Sequence, residues 1–397
     1  MLLSLIASLL LIVIGLLYPQ FFIDTKKVII SIDFHTALMK VMLSFLLFAG
    51  AIHIDLNLLK RESLAIFTFS TIGVLISTFI VGGLFYAASY AFNIHIDFIY
   101  CLLFGALISP TDPIAVLGIL KHAKIPSTLE MKISGESLFN DGVAVVVFVT
   151  IYEVITTGIQ NISVFQIVGL FLREAGGGIL FGLLIGYAGY WILRTIDNYI
   201  VEVLITIAIV MGGYDLANSI HVSGPLAMVV AGIITGNKSM KDSMSRGTRN
   251  YVEKFWQMMD EILNAILFLL VGFEMLILPF NSTILWLGCI SIIIVLFARF
   301  ISVLLPIAFL KYKKTFEKNA LLILTWGGLR GGLSVALALS LPKNMFGDIF
   351  VSITYIIVLF SIMVQGLTIG KLAKNRTMKN QHLTNERKNT GNNPEKR

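Results

Sequence analysis

Four polar side chains lie within six positions at the start of an otherwise apolar stretch. They are Glu136, Ser137, Asn140 and Asp141. On a helix that advances about 100° per residue, positions four apart share a face, as Glu136 does with Asn140 and Ser137 with Asp141. The four side chains then cover an arc of roughly 140° around the helix. The residues that follow, 143–150, are almost wholly apolar. The pattern predicts a polar stripe that faces a protein interior or a cavity.

The aspartate of this stripe has the chemistry to exchange a proton for a small cation. Carboxylate and hydroxyl oxygens are the ligands that hard cations prefer. Burial favours the protonated carboxyl group, whereas a nearby positive charge favours the carboxylate. A proton and a cation such as Na⁺ would therefore compete directly for Asp141.

The glutamate of the stripe is expected to need a fixed partner, because an unpaired charge inside an apolar helix is costly. Arg330 lies in the middle of another apolar stretch, where its side chain cannot easily reach water. We therefore expect Glu136 and Arg330 to pair. A purely structural ion pair and a direct part in ion binding both remain open for these two residues.

Two apolar stretches are interrupted by residues that break helices. Residues 108–113 read Ile-Ser-Pro-Thr-Asp-Pro, and the two prolines remove two backbone donors. Residues 326–332 read Trp-Gly-Gly-Leu-Arg-Gly-Gly, and the four glycines weaken the helix there. Each interruption carries a charge, Asp112 in the first and Arg330 in the second, which a pair of ordinary kinks would not explain.

Composition places these elements in a membrane. Of the 397 residues, 57% are hydrophobic and only 13% are charged, where a soluble domain carries about 25% charged residues. The mean hydropathy is +0.87. These values exclude a soluble globular enzyme and a disordered protein, and the long apolar runs predict an all-α polytopic membrane protein. Hydropathy gives about twelve transmembrane helices, near 2–19, 36–53, 63–92, 98–120, 134–157, 163–193, 201–219, 222–237, 256–279, 283–310, 319–341 and 347–370.

The two interrupted spans are the fourth and the eleventh of these twelve. Inside a bilayer, free backbone groups are tolerated only where protein or a water-filled cavity satisfies them. Secondary transporters place such discontinuous helices at corresponding positions of two repeats, around the binding site. Because the two spans are an odd number apart, they run in opposite directions. The sequence thus predicts inverted repeats with two broken, crossing helices.

Basic residues are divided unevenly between the two sides of this topology. The even-numbered loops and the tail hold 23 Lys and Arg residues, and the odd-numbered loops hold 3. The positive-inside rule then places both termini in the cytoplasm, and it explains the net charge of +7 without a nucleic-acid partner. Residues 371–397 predict a disordered basic cytoplasmic tail. The sixth span is too long, and residues 162–173 are expected to lie along the membrane surface.

Three charged motifs resemble the cation:proton antiporter-1 family, the NhaP-type bacterial Na⁺/H⁺ antiporters. They are SPTDPIAV at 109–116, GESLFNDGVAVVVF at 135–148 and WGGLRGGLSVALALSLP at 326–342. Supporting stretches lie at 224–237, 267–275 and 364–369. The resemblance runs from about residue 45 to residue 370 and implies the NhaA/NhaP-like antiporter fold.

The resemblance also implies how the ion is held. Asp141 would be the shared ligand of the proton and of Na⁺. Ser137 would add its hydroxyl group, and Thr111 would add a main-chain oxygen. Asn140 takes the place of a second aspartate that electrogenic relatives carry, which implies electroneutral 1:1 exchange.

For the remaining charges the resemblance implies supporting roles. Glu136 would contribute to cation binding through water and would pair with Arg330. Asp112 would neutralise the helix ends that the break exposes.

Family members are homodimers whose core moves like an elevator or rocks. In this chain the transmembrane domain would span 1–370. The core would comprise about 63–157 and 283–370, and the dimer and gate side about 1–62 and 158–282. Many relatives have thirteen spans. From the sequence we expect this chain to lack the additional first helix, which agrees with a cytoplasmic N-terminus.

Several further polar residues leave alternatives open. Glu274 and Arg299 lie in neighbouring spans and could pair. Asp260, Glu261 and Asn264 could line a funnel, although a solvated helix end is the simpler interpretation. Residues 232–239 lack the spacing of a phosphate-binding loop, so we expect no nucleotide, no cofactor and transport driven by ion gradients.

The sequence therefore predicts a secondary active monovalent cation/proton antiporter in the cell inner membrane rather than an enzyme. Its partners would be the lipid bilayer, H⁺ and Na⁺, with Li⁺ and K⁺ as alternative cations. The other hypothesis is a cation channel or ion-sensing membrane receptor on the same fold. A channel would more naturally carry a repeated filter sequence, and none is visible.

Overall fold

The structure is a computed structural model that describes residues 41–113, 116–118, 126–158, 162–274, 281–312, 316 and 319–372, without the side chains of 271–274. The first predicted span, 2–19, and residues 373–397 of the predicted tail lie outside these ranges. Within these ranges the regular secondary structure is helical, apart from a single bridge between Asp112 and Leu329. This confirms the all-α prediction.

In the described part of the chain, thirteen α-helices are numbered in chain order. They are α1 Leu43–Ile52, α2 Leu56–Ser70, α3 Ile72–Ala91, α4 Phe98–Ile108, α5 Ser127–Thr157, α6 Val164–Leu193, α7 Tyr199–Ser219, α8 Gly224–Ile234, α9 Arg246–Glu274, α10 Ser282–Leu310, α11 Ala320–Trp326, α12 Gly332–Leu339 and α13 Gly347–Phe360. Two π-helical segments, Thr235–Ser243 and Ser361–Gly366, continue α8 and α13, and a 3₁₀ turn covers Lys343–Met345.

Within the described ranges, six helical segments are long and apolar enough to cross a membrane. They are Leu56–Ala91, Ser127–Thr157, Val164–Leu193, Tyr199–Ser219, Ser282–Leu310 and Gly347–Leu372. α6 is one continuous helix from Val164. Residues 164–173 therefore belong to the same helix as the segment that crosses the membrane, and they do not form a separate helix along its surface. The Ser163 hydroxyl and the Gln166 side chain form a reciprocal cap at its start, which satisfies free amides of the first turn.

Close helix contacts join α8 to its neighbours. At Gly182 of α6, an added Cβ would lie 2.6 Å from the Ala227 carbonyl oxygen of α8, so a side chain there would separate the two helices. At Gly236, just after α8, an added Cβ would overlap the Ile52 carbonyl oxygen at the end of α1. α8 is therefore held between α6 and α1, and its first turn is presented to α5.

Both predicted interruptions are present, and they touch. α4 ends at Ile108, directly before the Ser-Pro pair, while α11 ends at Trp326 and α12 begins only at Gly332. The Asp112 amide donates to the Leu329 carbonyl oxygen at 2.8 Å, which forms the antiparallel bridge between the two breaks. The prediction of two broken, crossing helices is confirmed, and the crossing lies beside α5.

Candidate functional site

A cavity of about 710 Å³ runs along α5 and stops at the crossing. Its wall includes α5 residues from Ser127 to Asp141 and none beyond. Acidic side chains on its wall include those of Asp55, Glu130 and Glu253. Asp55 caps α2, and hydrogen bonds from the amides of Leu58 and Asn57 hold the pKa of its carboxyl group below the ordinary value.

Asp141 lies at the inner end of this cavity. Its side chain is half-buried, and its carboxylate accepts no hydrogen bond from the described residues. The carboxyl group of Asp112 is close enough for the two like charges to repel each other. A negative group in this position attracts a cation or a proton from the cavity.

Thr111 is bound to the same helix by three hydrogen bonds. The Ser137 hydroxyl donates to the Thr111 main-chain oxygen. The Asn140 amide group donates to Thr111 Oγ1 at 2.7 Å and accepts from the Thr111 amide at 3.3 Å. Asn140 and Ser137 are 1% and 2% exposed. The predicted residues Thr111, Ser137, Asn140 and Asp141 are therefore brought together, with the break of the α4 span against the polar stripe of α5.

Glu136 forms its ion pair with Arg299 of α10, which corrects the expected Glu136–Arg330 pair. Arg299 Nη1 contacts Glu136 Oε1, and both side chains are buried. The same guanidinium group donates through Nε and Nη2 to the Leu324 carbonyl oxygen at 3.2 and 3.0 Å. The other expected pair, Glu274–Arg299, lies outside the description, because the side chain of Glu274 is not described.

Arg330 instead binds the backbone of the other break. Its Nη1 donates to the carbonyl oxygens of Ser109 and Pro110 at 2.7 and 3.0 Å. These groups directly follow the C-terminal end of α4, where the helix dipole is negative and a cation is stabilising. The Arg330 amide donates to Ser361 Oγ at 2.8 Å, so the break is also joined to the π-helical segment after α13.

Asp112 occupies the opposite end of the crossing. An added Cβ at Gly331 would lie 2.6 Å from Asp112 Oδ2, so the carboxylate lies against the residue that precedes α12. Anions are favourable at helix N-termini. The two charges at the breaks therefore lie near helix ends of complementary sign: Arg330 after α4 and Asp112 before α12.

Beyond Asp141 the path is closed by packing. Leu226 of α8 lies so near Gly142 that an added Cβ would be 2.5 Å from Leu226 Cδ2. Leu226 is 2% exposed, and the α5 residues from 143 to 148 are buried and apolar. Gly142 thus allows an apolar side chain to lie directly beyond the carboxylate at which the cavity ends.

Three acidic or amide residues of α9 also contribute to the cavity wall. Asp260, Glu261 and Asn264 all line it, as the funnel interpretation requires. Asn264 donates to Asp260 Oδ1 at 3.0 Å.

The sequence analysis did not identify Arg299 as the ion-pair partner of Glu136. The available signal was a single arginine in the middle of an apolar span, the same signal that singled out Arg330.

Comparison with known proteins agrees with this arrangement. A family model described as "Sodium/hydrogen exchanger, transmembrane" matches residues 2–375. The Na⁺/H⁺ antiporter NhaP of Pseudomonas aeruginosa is 49% identical over 365 residues, which cover 90% of this chain and 85% of that protein. The Na⁺/H⁺ antiporter NhaH of Halobacillus dabanensis is 35% identical over 368 residues, covering 91% and 89%.

A solved structure shares the fold. The sodium proton antiporter MjNhaP1 from Methanocaldococcus jannaschii superposes with a TM-score of 0.73 at 19% sequence identity, covering 94% of this chain and 96% of that one. The family match spans nearly the whole chain, and both interruptions and the polar stripe lie inside it. The chain therefore belongs to the transmembrane sodium/hydrogen exchanger family, which confirms the resemblance to cation:proton antiporter-1 proteins.

Proposed function

We propose that this protein is a secondary active antiporter that exchanges Na⁺ for H⁺ by competition at Asp141. One observation carries the proposal: the carboxylate at the closed end of the cavity has no hydrogen-bonding partner among the described residues, while oxygen atoms of Thr111 and Ser137 lie beside it on the same wall. A group without a fixed countercharge is free to bind a mobile one. The relatives named as Na⁺/H⁺ antiporters support Na⁺ as the cation, with Li⁺ and K⁺ as alternatives.

The cation ligands would be the Asp141 carboxylate, the Ser137 hydroxyl oxygen and the Thr111 main-chain oxygen. Ser137 now donates to that Thr111 oxygen, so a bound cation would replace this hydrogen bond and take both oxygen atoms. Protonation of Asp141 removes the negative charge and releases the cation. Hard monovalent cations fit such an all-oxygen ligand set.

The remaining polar residues support this site. Asn140 positions Thr111 and contributes no charge. Arg299 neutralises Glu136, so that glutamate acts on the cation through its position and through water rather than as a free charge. With one titrating carboxylate per cycle at the site, exchange would be electroneutral, one cation for one proton. Asp112 would tune the affinity of Asp141 by repulsion and stabilise the end of α12.

For alternating access, Asp141 must be open to one side of the membrane at a time and closed to the other. The cavity leads to segments that the charge distribution assigns to the cytoplasm, so this is an inward-facing arrangement with both termini cytoplasmic. Leu226 over Gly142 supplies the barrier on the other side. Outward opening then requires the core, about 63–157 and 283–370, to move against the gate side, about 1–62 and 158–282. Family membership favours a homodimer in the cell inner membrane. The protein would act without a cofactor, as a transporter rather than an enzyme.

The test is proton flux in proteoliposomes that contain a trapped pH dye. Na⁺, Li⁺ or K⁺ is added outside, with the membrane potential first clamped and then released. We expect saturable, cation-dependent proton movement that ignores the potential. Asp141→Asn should abolish it, whereas Asp215→Asn, which changes an exposed acid of α7, should retain it. A cation-independent current in folded protein would contradict the antiporter and favour the channel.

A further inference from the structure

A second buried carboxylate lies far along the chain from the transport site. Glu202, in the first turn of α7, is 0% exposed. Among the residues that the structure describes, none forms a hydrogen bond of normal geometry with either of its carboxylate oxygens. Buried polar groups in folded proteins are almost always paired, and an exception points to a missing water or ion.

The side chains near Glu202 carry oxygen atoms that could bind a cation. Asp197, in the segment before α7, is near enough to repel it, and Thr248 of α9 is near enough for its hydroxyl group to interact with it. Thr248 Oγ1 donates to Asp197 Oδ1 at 3.4 Å. Two carboxylates and a hydroxyl group thus converge where the start of α7 meets the start of α9.

Aromatic contacts fix this junction on both sides. The rings of Tyr199 and Tyr251 are stacked with centroids 4.6 Å apart, joining the first turn of α7 to α9. One turn beyond Glu202, Thr206 Oγ1 accepts a hydrogen bond from Trp256 Nε1 at 3.0 Å. The unpaired carboxylate therefore lies in a packed seam between two helices rather than in a mobile loop.

A carboxylate enclosed in this way must be neutralised by a proton or by a cation. Arginines are present on the adjoining segments, at 194, 246 and 249. Within the described residues, none of them forms a hydrogen bond with the Glu202 carboxylate. Asp197 adds a second negative charge, which disfavours an empty site and favours an ion of higher charge.

We propose that Glu202, Asp197 and Thr248 bind a divalent cation of the Mg²⁺ or Ca²⁺ type, at a site separate from Asp141. Carboxylate and hydroxyl oxygens are the ligands of hard divalent ions, and main-chain and water oxygens complete the shell around two carboxylates. The ion would tie α7 to α9 on the gate side of the protein. This proposal does not depend on the transport mechanism.

The test uses the full-length chain carrying Asp141→Asn, so that the transported cation has lost its ligand. After treatment with EDTA, the thermal midpoint in detergent is measured while CaCl₂ or MgCl₂ is added. We expect a saturable rise of roughly 3 °C or more. Adding Glu202→Gln should remove the rise, and adding the exposed-site control Asp215→Asn should leave it. An equal rise in the Glu202→Gln protein, or a rise with NaCl alone, would overturn the proposal.

A second measurement covers the case in which Glu202→Gln fails to fold. Tb³⁺ is a luminescent probe of Ca²⁺ sites that nearby tyrosine rings sensitise, and Tyr199 is three residues from Glu202. We expect Tb³⁺ emission that excess Ca²⁺ displaces. Tyr199→Phe with Tyr251→Phe should weaken the emission while the Ca²⁺-dependent thermal shift persists. Emission unchanged by the tyrosine substitutions would place the bound ion elsewhere and contradict the assignment.

Discussion

Glu136 and Asp141 lie five residues apart on α5, about 140° from each other around the helix axis, and their surroundings differ. Glu136 is buried and its carboxylate contacts Arg299 of α10. Asp141 lines the cavity and accepts no hydrogen bond from the described residues. The carboxylate that has a countercharge is thus enclosed by protein, whereas the carboxylate on the cavity wall lies where a proton or a cation from the cavity can reach it. Four changes would test this contrast, beginning with the largest expected effect.

Removing the countercharge of Glu136 should destabilise the folded protein. Arg299→Gln leaves a buried carboxylate unpaired, and we expect a loss of roughly 3–5 kcal/mol in the free energy of unfolding. Glu136→Gln combined with Arg299→Gln should recover much of it, because no buried charge remains. The thermal midpoint in detergent measures both. Equal destabilisation of the single and double variants would mean that the Arg299 bonds to Leu324, rather than the ion pair, carry the stability.

A second acid beside Asp141 should change the charge moved per cycle. Asn140→Asp keeps an acceptor for the Thr111 amide while adding a second titratable group. We expect exchange that follows the membrane potential, measured in the proteoliposome assay with the potential clamped and then released. Asn140→Ala, which removes the Thr111 contacts without adding charge, is the control and should weaken exchange without potential dependence. Potential-independent flux in Asn140→Asp would show that this position does not set the stoichiometry.

Crowding the residue after Asp141 should disturb the barrier. Gly142→Ala places a Cβ 2.5 Å from Leu226 Cδ2, and we expect a loss of roughly 1–3 kcal/mol in stability from overpacking. Leu226→Ala in the same protein should relieve it. Gly212→Ala is the matched control, since an added Cβ there meets nothing within 4 Å, and it should be neutral or stabilising. Equal thermal midpoints for both glycine variants would contradict the contact.

The smallest effect is expected at Asp55, a half-buried acidic residue of the cavity wall. Asp55→Ala removes the cap of α2 and should cost about 1 kcal/mol. The pKa of Asp55 is lowered by hydrogen bonds to its carboxylate, so this stabilisation is present above the ordinary value of 3.8 and is lost as the pH falls through the folded-state value. Thermal midpoints across this acid range should therefore converge for the two proteins. A constant difference at all pH values would exclude the charged cap as its cause.

Local signals were enough for much of the architecture and for most of the site. The Pro and Gly clusters at 110–113 and 327–332 predict the two breaks, because the prolines remove backbone donors and the glycines weaken the helix. The four-residue spacing between Glu136 and Asn140 fixes a common helix face regardless of what packs against it. The length of apolar runs likewise determines that the chain spans a membrane.

Partner choice could not be read in the same way, because it depends on how helices cross in three dimensions. Arg299 and Arg330 are both single arginines in apolar spans. Only the packing of α10 against α5 brings Arg299 to Glu136, and only the crossing of the breaks brings Arg330 to the carbonyl groups after α4.

The sequence by itself determined which residues are polar within the membrane, where the helices break and to which family the chain belongs. The tertiary structure decided which charges are neutralised, that the cavity ends at Asp141, and that Leu226 closes the path beyond it. The physical reason is the distance along the chain over which each interaction acts. Helix breaking and amphipathic spacing act within a few residues of the chain, whereas ion pairing and cavity shape depend on residues that only folding brings within contact distance.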